Sequence, residues 1–366
     1  WNVIQHFWPY WDVVSVDWNA ELDVALADAM DDRTLADHVT TVQRLIAAVP
    51  DDHARTTCGP ERESESISFT IEVIEDKIVV TATTAEELAR GDVITSIDHQ
   101  PAMAHLQSDE ALISGSAQWR RHQASARFAK GRTGSRVALG ALRDGKPVEV
   151  TIMRNATPVE LSHPPIDRLD EGVYYVDLSR AAKTEIAAIW DKLAAAPGVV
   201  FDMRRYPVSN TEVLPHLLTR PDDSKAWLSV PRVIRPDHTP RSISGWQSEG
   251  WELPVREPHI AGRVAFLTGP GAVSYGESLM SFVEHYHLGA IVGSATAGTN
   301  GNVVEITAPS GCTTRLTGMR VTKHDGSRHH LIGILPTIPA SRTIAGVAAG
   351  RDEVLDRGLA YVRSGQ

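Results

Sequence analysis

The stretch LTGPGAVSYGESLMSFVEHYHLGAIVG runs an apolar strand into a Gly-Pro-Gly loop, sets Ser274 on the bend and then opens a helix. A serine at the C-terminal end of a buried strand, beside the free N–H groups of a helix N-terminus, can attack a carbonyl whose developing oxyanion those groups hold. The same local pattern also suits a serine that merely caps the helix. It is not GxSxG, because Ala272 stands at the first glycine position, so the α/β-hydrolase signature fails. A hydroxyl is a weak nucleophile without a base, and the chain offers 15 histidines to supply one.

Other reactive-looking clusters read as ordinary structure. His324, His329 and His330 in KHDGSRHH lack a companion HExxH spacing, and the Asp-Gly turn predicts a solvent-exposed hairpin there. His285 and His287, two apart on a helix, face different directions and cannot chelate together. The glycines of TAGTNGN fit neither the Walker nor the dinucleotide fingerprint, and a tight turn accounts for them. No metal and no organic cofactor is implied. Cys58 and Cys312 show no CxxC spacing, which excludes a zinc ribbon or a disulfide-dense scaffold and leaves their pairing open.

The elements that must position Ser274 follow from periodicity. At 366 residues, more than one domain is expected. WNVIQHFWPYWD reads as a short aromatic-rich helix stopped near Pro9. Thr34 with Asp37 forms a capping-box start, and Leu35, Val39, Val42, Leu45, Ile46 and Val49 recur at helical spacing up to Pro50. Residues 1–65 are therefore expected to be a helical domain. Over 66–156 the pattern changes to short strands: SFTIEVIEDKIVVTAT as a hairpin, GDVITSIDHQPA as strand and turn, and SRVALGALRDGKPVEVTIMR as a hairpin about Asp144-Gly145. From 157 to 366 strands and helices alternate through GVYYVDLS, KTEIAAIWDKLAAA, GVVFDMR, RVAFLTG and GAIVGS, which predicts an α/β core around a mixed, mostly buried sheet. GRDEVLDRGLAYVRSG reads as a closing helix with Asp352 near its positive end. The Pro-, Ser- and Trp-rich stretch between Pro221 and Pro258 reads as a long surface loop, binding loop or lid.

Composition removes two classes of function. Hydrophobic residues make up 42% and charged ones 22%, with no apolar run long enough to span a membrane. The net charge is -10 and no lysine or arginine cluster stands out, so nucleic acid is not an expected partner. Opening at Trp1 rather than Met, inside structured-looking sequence, predicts residues upstream and leaves the compartment open. Homo-oligomerisation is likewise left open.

An ordered set of fragments carries a family resemblance: DDHA (51–54), GVVFDMRRYP (198–207), AVSYGES (272–278), IVGSATAGTNGN (291–302), TGMRV (317–321), GILPTIP (333–339) and GRDEVLD (350–356). The chain resembles the C-terminal-processing serine peptidases, especially their tricorn-core-like branch. RGDVITSIDHQPA also looks like a turn of the PDZ fold. The resemblance implies a helical domain, a PDZ-like β domain and a ClpP/crotonase-like α/β core.

In that family the nucleophile precedes a glutamate by three residues, which implies Ser274 ahead of Glu277, the latter as a structural acid of the helix's first turn. A lysine-base branch has a segment like VGxxTxGKG. Here Thr299 takes the lysine's place, so that mechanism is closed to this chain. The tricorn-like branch draws a histidine from a motif like DDHA, which makes His53 the implied general base. Leu335 stands where that branch's relay glutamate would fall, leaving Asp52 or Glu305 to orient His53. The implied oxyanion donors are the backbone N–H groups of Tyr275 and of Val208, in a loop where relatives tend to carry a glycine pair.

The expected activity is hydrolysis of unstructured peptides or chain termini through an acyl-enzyme on Ser274, with an unfolded or peptide substrate and no cofactor. Two alternatives are carried: a catalytically silent peptide- or ligand-binding relative, and an esterase or acyl-transfer enzyme on the same scaffold.

Overall fold

The computed structural model describes residues 1–58, 65–155, 163–208, 211–224, 226–232, 245–308 and 311–365. The protein is mixed α/β. Helices α1 (Asn2–Phe7), α2 (Trp18–Asp31) and α3 (Leu35–Ala47) come first. The capping box at α3 forms as read: the Thr34 hydroxyl accepts from the Asp37 amide, and the Asp37 carboxylate accepts from the Thr34 amide. Helix α2, not anticipated from sequence, is capped by Asp17 and buries only Trp18. Trp8, Tyr10, Trp11 and Trp18 form one apolar cluster with Ile46, Val49 and Leu316. That cluster fixes the turn after α3, from which strand β1 (Arg55–Thr57) departs.

An antiparallel sheet follows, its path running β2 (Phe69–Ile74), β3 (Lys77–Thr83), β4 (Val93–Ile97), then β5 (Arg136–Arg143) and β6 (Lys146–Met153). Both hairpins read from sequence are present. Each turns on two residues of positive φ, Glu75–Asp76 and Asp144–Gly145, the backbone that two-residue hairpin loops require. Two helices between β4 and β5 were not expected, α4 (Ala102–Glu110) and α5 (Ala117–Arg127).

The core sheet has six strands in the order β7 (Ile166–Arg168), β8 (Tyr174–Asp177), β9 (Gly198–Asp202), β12 (Arg263–Thr268), β13 (Ala290–Gly293) and β17 (Ile338–Pro339). It is mixed, because β7 runs antiparallel to β8 while the other neighbours are parallel. Helices α6 (Lys183–Ala187) and α7 (Trp190–Ala195) connect β8 to β9. Every residue of β9 is buried, and its unbroken apolar run GVVF is what a strand covered on both faces needs. Phe201, Phe266 and Val199 pack on one face with Leu279, Phe282 and Val283 of helix α8 (Tyr275–Tyr286). On the other face Val200, Ala265 and Leu267 meet Val354, Leu355 and Val362 of helix α10 (Glu353–Ser364). A shorter helix, α9 (Ile344–Ala348), precedes α10.

A two-stranded pair of 65–66 with 131–132 and two three-stranded sheets complete the described fold. In one, β1 pairs with β15 (Thr313–Thr317), which pairs with β14 (Val303–Thr307). In the other, β10 (Leu228–Arg232) lies between β11 (Gly245–Glu249) and β16 (Arg320–Val321). The latter corrects the reading of 221–258 as a surface loop: Trp227 is 2% exposed and packs edge-on against Phe282 and Trp251. Residues 225 and 233–244 of that stretch lie outside the described residues. KHDGSRHH does turn as an exposed hairpin over 325–328, closed by the Thr322–Arg328 bridge, but its last two histidines are not exposed. His329 and His330 are both 1% exposed, with His330 stacked on Tyr10 at 3.8 Å and edge-on to Trp8.

Cys58 and Cys312 form a disulfide that ties the end of β1 to the start of β15.

Candidate active site

Strand β12 ends at Thr268, and the chain turns through Gly269–Val273 into Ser274, which adopts φ 55° and ψ −117°. Positive φ at a non-glycine residue is strained and persists only where the surroundings enforce it. Here the Ser274 amide donates to the Thr299 carbonyl at 2.9 Å, while the Ser274 carbonyl accepts from the Glu277 and Ser278 amides. The hydroxyl makes no capping bond, so the bend serves to present Ser274 and not to cap α8. Gly276 follows because a Cβ there would press on Pro207 Cδ at 3.2 Å.

Glu277, fully buried one turn into the helix, accepts from the Gly298 amide at 2.7 Å and from the Thr296 hydroxyl. It thereby holds the loop whose Thr299 carbonyl fixes Ser274. His329 Nε2 comes within 3.3 Å of its second oxygen.

His53 sits opposite, on the turn between α3 and β1. Its Nδ1 lies 2.8 Å from the Thr317 hydroxyl, which donates to Asp51 Oδ1 at 2.7 Å. A threonine hydroxyl has one proton, and an ionised carboxylate can only accept. With the hydroxyl proton given to Asp51, Thr317 must accept from Nδ1–H, which leaves Nε2 of His53 as the basic nitrogen. Asp51 is fully buried and further held by the amides of His53 and Thr317 and by the Trp8 indole N–H. Burial lowers the pKa of His53 below its ordinary 6.5; Asp51 and Glu277 oppose this, and Arg55 adds to it.

Ser274 and His53 line one cleft of about 620 Å³, with Asp52, Arg55, Trp119, Tyr206, Val273, Val303, Glu305 and Arg315. The two residues expected to orient His53 do not touch it. Asp52 Oδ1 accepts from the Ser116 amide at 2.8 Å, and burial pushes its carboxyl well above the usual carboxylate range, with Glu277 and Asp51 adding to the rise. Glu305 is bound to Arg315 Nε on the neighbouring strand. The hydrogen-bond series from the His53 ring runs instead to Thr317 and Asp51. Both lie inside fragments legible in the sequence, DDHA and TGMRV, but the facing of neighbouring acids is decided by tertiary packing.

Of the two oxyanion donors, the Tyr275 amide has no acceptor among the described residues, as the first N–H of a helix should. The Val208 amide is committed elsewhere. It donates to the Leu178 carbonyl at 2.8 Å, satisfying the chain just beyond β8. The Tyr275 hydroxyl in turn accepts from the Thr211 amide at 3.1 Å, tying Thr211 to α8. No group of His, Cys, Asp and Glu side chains among the described residues could hold a metal ion.

A second module of the chain reaches the site through the segment leading into α5. The Ser116 hydroxyl donates to the Ala297 carbonyl at 2.5 Å, Gln118 donates to the carbonyls of Thr296 and Ala297, and the Asp51 amide donates to the Ser114 hydroxyl at 3.2 Å.

Comparison with known proteins bears on the family and the fold. The sequence profile of peptidase family S41 matches residues 172–340. No curated protein matches the chain. Among solved structures, mature CPAF in complex with lactacystin is similar at TM-score 0.77 and 13% identity, covering 100% of this chain and 97% of that one. Mature CPAF alone gives TM-score 0.75 at 14% identity, covering 97% and 93%. The photosystem II D1 C-terminal processing protease gives TM-score 0.50 at 15% identity, covering 96% and 95%. At such identities these likenesses speak for the fold, and the profile match speaks for the family. Residues 172–340, within the α/β core, match peptidase family S41, and that match indicates a serine-type peptidase.

Proposed function

We propose that the protein hydrolyses peptide bonds of unstructured peptides or chain termini through an acyl-enzyme on Ser274. Ser274 Oγ attacks the scissile carbonyl while Nε2 of His53 takes its proton. The imidazolium so formed is stabilised through Nδ1–H, Thr317 and the Asp51 carboxylate. The Tyr275 amide, at the positive end of α8, donates to the developing oxyanion. His53 then returns the proton to the leaving amine, and water, deprotonated by the same Nε2, releases the acyl group. Glu277 acts as a support for the 296–299 loop, not as a proton carrier.

The observation that carries this reading is the hydrogen-bonded series from His53 Nδ1 through Thr317 to buried Asp51, in the cleft that Ser274 lines. A bound peptide would be an extended chain, since residues 1–65 and 66–156 both contribute to the walls. We read the latter as a PDZ-like domain and 157–366 as a ClpP/crotonase-like core; the strand order about β4 and the fragment RGDVITSIDHQPA support the first.

The test is digestion of an unstructured peptide library, with products read by mass spectrometry. The parent protein should release fragments, Ser274→Ala none, and His53→Ala about 10²- to 10⁴-fold fewer per unit time. Turnover of activated esters with no peptide product would favour the acyl-transfer alternative, and tight peptide retention without turnover the binding relative.

A further inference from the structure

We infer that the cleft selects substrates carrying a carboxylate close to the scissile bond, gripped by Arg55 with Arg315 beside it; this rests on the peptidase reading above. The register of the small sheet sets Arg55 directly opposite Arg315, and Arg315 directly opposite Glu305. All three side chains line the cleft that holds Ser274 and His53. Like charges directly opposite one another weaken a strand pair, so an arginine pair on this face asks for an anion.

The ion pairs do not supply it in full. Glu305 binds Arg315 through Nε, whereas Arg55 is exposed and has no acidic partner among the described residues. Asp52 lines the same cleft but is 8% exposed, faces the Ser116 amide and has its carboxyl held toward the neutral form, so it leaves the Arg55 charge unopposed. Arg55 also stands close enough to His53 to act on it electrostatically. A planar guanidinium matches a carboxylate in a two-point fork, and the site it offers is within the substrate channel itself. The carboxylate is either an aspartate or glutamate side chain or the substrate's own C-terminus.

The experiment uses the full chain and matched fluorogenic peptides that differ at one residue beside the cleaved bond, Gln, Glu or Lys, each with a free or an amidated C-terminus. The parent should favour a carboxylate-bearing peptide by about tenfold or more in kcat/KM, the worth of one charged hydrogen bond. Preference for Glu that survives amidation assigns an acidic side chain; preference lost on amidation assigns the C-terminus. In Arg55→Gln the ratio should fall to about one, and in Arg55→Glu it should turn toward the Lys peptide. Equal treatment of all peptides by an active parent, or a preference unchanged in Arg55→Gln, overturns the inference and leaves the peptidase reading standing. If no peptide is cleaved, anisotropy of the same peptides on Ser274→Ala separates the two: selective binding of the acidic peptides upholds the anchor against the peptidase reading, and equal binding overturns both.

Discussion

Asp51 and Asp52 are adjacent in sequence, yet Asp51 accepts four hydrogen bonds and Asp52 keeps one buried oxygen without a partner. That division sets three expectations. Thr317→Val removes the acceptor of His53 Nδ1–H, so kcat should fall by roughly 10²-fold with KM little moved, and Thr317→Ser should recover most of it; steady-state kinetics on the two variants decides. Asp52 is different, since its folded pKa lies above the ordinary 3.8 and its ionisation therefore costs stability as pH rises. Asp52→Asn should leave the urea midpoint at neutral pH unchanged or raised, and a clear drop would show that its charge is needed. The third concerns pH. Catalysis needs His53 neutral, so the acid limb of kcat/KM should have its midpoint below 6.5 and move upward in Arg55→Gln, which removes a cation that holds the pKa down. Sequence offered His53 and Ser274, which line one cleft, because each sits in a local motif; it did not offer Asp51 or Thr317 as partners because their meeting spans 266 residues of chain.

At the scale of elements, the proposed catalytic base depends on two strands that are far apart in sequence. β1 carries the continuation of the His53 turn, β15 carries Thr317, and Cys58–Cys312 joins them. In the chain-entropy account a link between such distant residues stabilises by about 2–4 kcal/mol or somewhat more. Reduction, or Cys58→Ser with Cys312→Ser, should lower the urea midpoint and reduce kcat together; retained stability after reduction would show the link to be dispensable. Bonds of this kind persist in oxidising surroundings. Elements with strong local rules were legible: the α3 capping box, the Asp144-Gly145 hairpin and the apolar run of β9. Helix α5 was not, because AQWRRHQASAR buries little beyond Ala124 and is held by docking onto the 296–297 carbonyls. The strands at 228–232 and 245–249 escaped notice because the first takes its register from 320–321 and the second from the first, not from patterns of their own.

Over the whole molecule, burial of neutral imidazoles is a recurring feature. His53 and His122 lie below 6.5, His324 is lowered to about 4 and His330 to about 3, burial being the main cause in each. The unfolded chain takes up protons near 6.5 that the folded chain refuses. Stability should thus be complete above about pH 6.5 and decline as pH falls toward 4 and 3, the range set by the values for His324 and His330. Urea midpoints measured from pH 7 down to 4 should fall steadily, and a flat profile would contradict the account. The surroundings of these histidines join regions remote in sequence, Tyr10 and Trp8 against His330 and Trp227 against His324, so periodicity alone read them as exposed. The central claim is that one serine in this fold is activated by one histidine. It is tested most directly by intact mass after exposure to a fluorophosphonate, on the parent, Ser274→Ala and His53→Ala. A single adduct is expected on the parent, none on Ser274→Ala and much slower labelling of His53→Ala. A folded parent that gains no adduct, or one that labels equally well without His53, would contradict it.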